Sequence, residues 1–204
     1  MRLIGMLDSP YVRRVAVSLK CLRLPFIHEP VSVFSHFDAF AGINPVVKAP
    51  TLVLDDGTTL MDSSLILEHL ERLAPPEHRL MPADLADHAR VQRLTGLALA
   101  ACEKTVQIVY EHELRPIEKR HQPWIDRVHG QLLAAYRQLD AEIGSGRAWL
   151  VGTQITQADI CAAVAWRFTQ SMLADQVRRD GHWALTRLSE RMEALPEFAS
   201  TPAE

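Results

Sequence analysis

Ser9, Pro10 and Tyr11 are the residues of this chain best placed to do chemistry. They follow a short apolar run, Leu3-Ile4-Gly5-Met6-Leu7, and open a pattern with Val12, Val15, Ala16 and Leu19 on one helical face. Ser9 is therefore expected at a helix N-cap, with Pro10 at the first helical position, where a missing N–H does no harm. Free backbone N–H groups and the positive end of the helix dipole gather there, so the position suits an anion. A hydroxyl at that point can also donate to a thiolate. Taken alone, a Ser-Pro pair reads first as a simple helix cap, because Ser-Pro starts many helices, so the surrounding elements have to decide.

Those elements divide the chain. The first 75 residues mix short strands and helices, and the rest is helical in pattern. After the opening strand and a helix running to about Arg23, Leu24-Pro25 is a break, and Phe26-Ile27-His28-Glu29 with Val31 reads as a second strand. Strand, helix and strand in about 30 residues imply a right-handed βαβ unit with parallel strands. Residues 34–49 read as irregular or weakly helical. Thr51-Leu52-Val53-Leu54, Asp55-Asp56-Gly57 and Thr58-Thr59-Leu60-Met61 form a hairpin signal. Asp62-Ser63-Ser64 then caps a helix with Ile66, Leu67, Leu70 and Leu73 on its apolar stripe. The order βαβ-ββα is that of a thioredoxin-like α/β domain, assigned here to residues 1–75. A stiff Pro75-Pro76 linker over 76–83 leads to an all-α bundle over 84–204, with helices at roughly 85–114, 123–143, 157–173 and 183–194. Pro116, Pro123, Gly144-Ser145-Gly146 and Pro196 punctuate them.

Composition removes other classes. A chain of 204 residues with 48% hydrophobic and 23% charged residues is ordinary for a soluble globular protein. A formal net charge of −3 without basic runs argues against a nucleic-acid surface. No apolar stretch approaches the roughly 18–20 residues of a membrane span, and no signal peptide is recognisable. Cys21, Cys102 and Cys161 are far apart, which points to reduced thiols in a cytosolic protein. The scattered His residues lack metal-site spacing, so no metal is expected.

Four patterns in matching order make the chain resemble the cytosolic glutathione transferases over essentially its whole length. They are Ser9-Pro10-Tyr11, Asn44-Pro45-Val46-Val47-Lys48-Ala49-Pro50, Asp62-Ser63-Ser64-Leu65-Ile66, and Gly152 followed by Ile155-Thr156-Gln157-Ala158-Asp159-Ile160. The resemblance implies a serine-type bacterial member of tau, omega or zeta kind, a homodimer with glutathione as co-substrate. It also implies a cis Pro50, although only about 5–6% of X-Pro bonds are cis. The Ala49 main chain would then pair with the cysteinyl part of glutathione. Ser63 would receive the γ-glutamyl carboxylate, and Asp62, where the family usually has Glu, its ammonium group. Lys48, with weaker help from His36, would hold the glycyl carboxylate. Thr156-x-x-Asp159 is a capping box with a folding role.

The resemblance gives the Ser9 hydroxyl a task. A free thiol has a pKa near about 8.5, and lowering it by about two units takes about 2.7 kcal/mol of preferential thiolate stabilisation. A hydroxyl donor together with a helix N-terminus is of that size. Tyr11 is the rival hydroxyl; Ser9 is preferred, with Tyr11 lining the site. An electrophile pocket is expected between the two domains, formed by Tyr11, Ala101, Thr105, Ile108, Tyr110 and Trp166, although these helical stripes also suit core packing. The expected activity is conjugation of glutathione to apolar electrophiles. The alternatives are a catalytically silent binding or regulatory protein, and a glutathione-dependent isomerase or dehalogenase. The Ser-Ser-Cys type motif known from the isomerase class is not matched by Asp8-Ser9-Pro10.

Overall fold

β1 (Arg2–Ile4) is the strand on which the first part of the chain is assembled. It pairs in parallel with β2 (Ile27–Glu29) and antiparallel with β3 (Thr51–Val53), and β3 pairs antiparallel with β4 (Thr59–Met61). The sheet order is β2-β1-β3-β4. The computed structural model describes residues 1–144 and 148–203. Ser145 and Gly146, expected as helix punctuation, lie outside the described residues.

Local chemistry sets the boundaries. The hairpin register places Leu52 opposite Leu60, and the Asp56 carboxylate accepts the Thr58 N–H at 2.8 Å inside the turn. That bond holds the Asp56 carboxyl below its usual range. α1 (Pro10–Cys21) crosses between the parallel strands and buries Val12, Val15, Ala16 and Leu19. It packs on α3 (Ser63–Leu73), which contributes Ile66 and Leu70. A short α2 (Phe37–Ala41) lies within the stretch expected to be irregular or weakly helical.

Two compact units result, Met1–Met81 with Ala194–Glu204, and Pro82–Glu193. The division expected after residue 75 gave the whole tail to the helices. In the structure α8 (Pro196–Ala199) and the residues after it group with the first unit instead. The cause lies on α1. Arg13 is 2% exposed, donates from Nε to the Thr201 carbonyl at 2.8 Å, and sits over the Phe198 ring at 5.6 Å. A guanidinium buried that deeply needs such partners, and the returning tail supplies them.

The second unit carries α4 (Leu85–Glu113), α5 (Gln122–Ile143), α6 (Gln157–Met172) and α7 (Trp183–Glu193), with ends within a residue of those expected. α4 packs on both α5 and α6. Thr156 and Asp159 form the capping box at the start of α6. The fully buried Asp159 carboxylate accepts from Leu150 N–H at 2.9 Å, Thr156 N–H at 2.9 Å and Thr156 Oγ1 at 2.7 Å. Burial pushes its carboxyl above the usual range, and those donors oppose the shift. Among the described residues, no helix is long and apolar enough to cross a membrane.

Candidate active site

Ser9 is the N-cap of α1, with extended backbone angles of φ −70° and ψ 121° and Pro10 starting the helix. Its Oγ accepts the Val12 N–H at 3.4 Å, a long capping bond. A hydroxyl has one proton and two lone pairs, so this arrangement leaves the Ser9 proton available to an acceptor outside the helix. Tyr11, the next residue but one, is half-buried.

Gly5 draws a second element to that helix end. It has φ 137°, and a Cβ added to it would meet Val12 Cγ2 at 2.6 Å and Ala49 Cβ at 3.2 Å. Only glycine lets the end of β1, the first turn of α1 and the Ala49 loop approach so closely. The Ala49–Pro50 bond there is cis, as the resemblance implied. The loop is pinned by Asn44, which donates from Nδ2 to Thr51 Oγ1 at 2.9 Å and accepts the Val46 N–H at 3.1 Å. Thr51 Oγ1 in turn donates to the Lys48 carbonyl at 2.7 Å. Among the described residues, the Ala49 N–H and C=O take no part in a backbone hydrogen bond. They are a donor and an acceptor side by side, as an extended peptide requires.

α3 supplies the third element. Asp62 is its N-cap, and the carboxylate accepts the Ser64 N–H at 2.9 Å. Its φ of 70° is unusual for Asp and marks a sharp reversal between β4 and the helix. Ser63, 5% exposed, is the first helical residue. Lys48 is exposed. His36, also exposed, starts α2, and its ring contacts Ser35 Oγ at 3.2 Å rather than any residue of this cluster.

Arg14 was not anticipated as a site residue. From α1, its Nη1 donates to Ser63 Oγ at 3.1 Å and to Ser64 Oγ at 3.2 Å. A usable signal was present in the sequence: adjacent Arg13 and Arg14 sit near the N-terminal end of a helix, where the dipole disfavours cations.

The helical face expected to line an electrophile pocket is largely core. Ala101 and Thr105 are fully buried, Ile108 is 1% and Trp166 2% exposed, and Tyr110 alone of the set is open, at 44%. Thr105 Oγ1 bonds Thr169 Oγ1 at 2.7 Å, and Trp166 packs edge-on against Tyr136 at 5.1 Å. Contact of α4 with both α5 and α6 uses up the stripe that a helical pattern leaves apparently free. The helical unit does carry a cleft of about 370 Å³ along α6 and α7, in which Trp166 is joined by Gln170, Arg179 and Ser189. Of the expected pocket residues only Trp166 lines it. No group of three or more His, Cys, Asp or Glu that could hold a metal occurs among the described residues.

Comparison with known proteins finds similarity along most of the chain. Residues 3–78 match the family model of the glutathione S-transferase N-terminal domain, and residues 98–196 that of its C-terminal domain. A glutathione S-transferase from Methylobacterium radiotolerans, crystallised with glutathione sulfonate, is 30% identical with a TM-score of 0.91, covering 98% of this chain and 93% of that one. One from Methylobacillus flagellatus with glutathione bound is 25% identical with a TM-score of 0.90, covering 100% and 99%. A probable maleylacetoacetate isomerase from Drosophila melanogaster is 25% identical over 92% of this chain and 75% of its own length.

Proposed function

Because the chain belongs to the glutathione S-transferase family, we propose that it binds glutathione along its first unit and presents the sulfur as a thiolate to an apolar electrophile. The observation that carries this reading is the junction at Gly5, where the Val12 side chain, in the first turn of the helix capped by Ser9, and the Cβ of Ala49, whose main chain makes no backbone hydrogen bond among the described residues, both close on one glycine. The Ala49 N–H and C=O suit the cysteinyl residue, which brings its sulfur to the Ser9 hydroxyl. The exposed Lys48, with His36 as a weaker aid, suits the glycyl carboxylate, and Asp62 and Ser63 suit the γ-glutamyl end.

Ser9 donates to the sulfur and need not act as a base. The thiol proton passes to solvent, the sulfur lone pair forms the new S–C bond, and the leaving group departs with the electrons of the bond it breaks. Tyr11 borders the sulfur. Tyr11 also serves the electrophile side in this reading, whereas Ala101, Thr105, Ile108 and Trp166 are buried within the helical unit. A homodimer and a cytosolic location accompany this reading.

The maleylacetoacetate isomerase relative favours one second reading. There the thiolate adds to a conjugated double bond and leaves again after rotation, so that glutathione is regenerated. Both readings begin with the same activated sulfur.

Calorimetric titration with glutathione, followed by turnover assays with 1-chloro-2,4-dinitrobenzene and with a cis-enedione, tests the proposal. Binding with coloured conjugate formation supports conjugation. Loss of the cis-enedione without consumption of glutathione would move the protein to the second reading. Binding without either reaction would make it a silent glutathione-binding protein, and absence of binding would overturn the proposal.

A further inference from the structure

Arg13 and Arg14 are neighbours on α1 and almost equally buried, at 2% and 4% exposed, yet their partners differ in kind. Arg13 has a backbone carbonyl and an aromatic ring. Among the described residues, Arg14 reaches only two hydroxyl oxygens, those of Ser63 and Ser64, and its Nε has no hydrogen-bond partner. No ion pair joins Arg14 to a carboxylate among the described residues, and the nearby Asp62 carboxylate is engaged by the Ser64 N–H. A buried guanidinium without a counter-ion is expensive to keep, and an arriving anion removes much of that penalty.

The hydroxyl contacts say where the anion goes. A guanidinium only donates, so Nη1 occupies a lone pair on Ser63 Oγ and the Ser63 proton must point elsewhere. Ser63 is also the first residue of α3, whose opening N–H groups lack intrahelical partners. A carboxylate placed there would meet an oriented O–H, a free N–H and the helix dipole, with a cation behind them.

We propose that Arg14 is a positioning residue for the γ-glutamyl α-carboxylate of glutathione: it turns the Ser63 hydroxyl toward that carboxylate and supplies its counter-charge through the serine. The inference rests on the glutathione reading above and names the residue that makes one end of that site selective for an anion.

The test compares glutathione with an analogue in which the γ-glutamyl α-carboxylate is a carboxamide. Wild-type protein is expected to prefer glutathione by about tenfold to a hundredfold, the range of a charge-assisted hydrogen bond. Arg14→Met is expected to reduce that preference to about twofold or less and to raise KM for glutathione more than it lowers kcat. Arg14→Lys, which keeps the charge, is expected to recover part of the preference, and thermal unfolding of each variant establishes that it is folded. If Arg14→Met weakens both ligands equally and keeps the preference, Arg14 is a structural residue and the inference falls while the glutathione reading stands. A wild-type protein that binds neither ligand would instead overturn the glutathione reading itself.

Discussion

Two polar clusters, one in each unit, are used in opposite ways. Around Tyr136 and Asp159 in the helical unit, polar groups answer one another, although Arg90 Nε, Thr95 Oγ1, His182 Nε2 and Thr186 Oγ1 elsewhere in that unit lack a hydrogen-bond partner among the described residues. Tyr136 donates to the Ala165 carbonyl at 2.9 Å and lies 2.6 Å from Thr169 Oγ1, which meets Thr105, while Asp159 gathers two donors from its Thr156 cap and one from Leu150. In the first unit, the polar groups at the element ends are left with unused capacity: the Ser9 proton, the Ala49 main chain and the Arg14 Nε. A buried polar group satisfied from within specifies a fold, and one left half-satisfied at a helix or strand end is available for a ligand. Removing a group of the first kind should therefore reduce stability, and removing one of the second kind should reduce activity.

Asp159 gives the largest separation of the two effects. Asp159→Ala leaves the Leu150 and Thr156 N–H groups buried without an acceptor, which should cost about 3–5 kcal/mol of unfolding free energy. Turnover per folded molecule should stay near wild type. Urea unfolding alongside an activity assay at low denaturant measures both, and Asp159→Asn, which retains one acceptor, should fall between them. A variant that keeps its stability but loses activity would break the contrast. Ser9→Ala is the mirror case. Its capping bond is long, so stability should fall by only about 0.5 kcal/mol, whereas kcat should drop on the order of a hundredfold, as when a donor to a developing anion is removed. Glutathione affinity should change little. Unchanged turnover, with Tyr11→Phe inactive, would transfer the role to the tyrosine.

The same contrast explains what could be read from sequence. Ser9-Pro10, Asp62-Ser63 and Thr156-x-x-Asp159 were legible because a cap is a local event, fixed by a few consecutive residues. The helix ends were legible because apolar periodicity is local too. What escaped depends on partners remote in the chain. The apolar stripe of α4 that carries Ala101, Thr105 and Ile108 looks the same whether it faces a pocket or another helix, and packing on α5 and α6 decides the matter. The misplaced charge of Arg13 and Arg14 near the start of α1 has no visible target until Thr201 and Ser63 are brought against them. The return of α8 to the first unit follows from that same Arg13 contact and has no local signature.

The contrast can be sharpened within α1 itself, whose two ends treat sulfur oppositely. The N-terminal end is proposed to hold a glutathione thiolate. At the C-terminal end, Cys21 is pushed from 9.0 up to about 12, first by burial and then by the negative charge of Glu197. The sign for stability follows from the proton count. Between pH 9 and 12 the unfolded thiol ionises while the folded one stays protonated, so folding stability falls as pH rises through that interval. Wild-type protein should therefore lose about 1.4 kcal/mol between pH 8 and pH 10 relative to Cys21→Ala, readable from paired urea titrations. The folded thiol should also react slowly with iodoacetamide at pH 8, because the thiolate is the nucleophile. Equal slopes for the two proteins, or alkylation at the rate of a free thiol, would show that this end of the helix does not hold sulfur neutral. The two ends of α1 would then no longer be opposites.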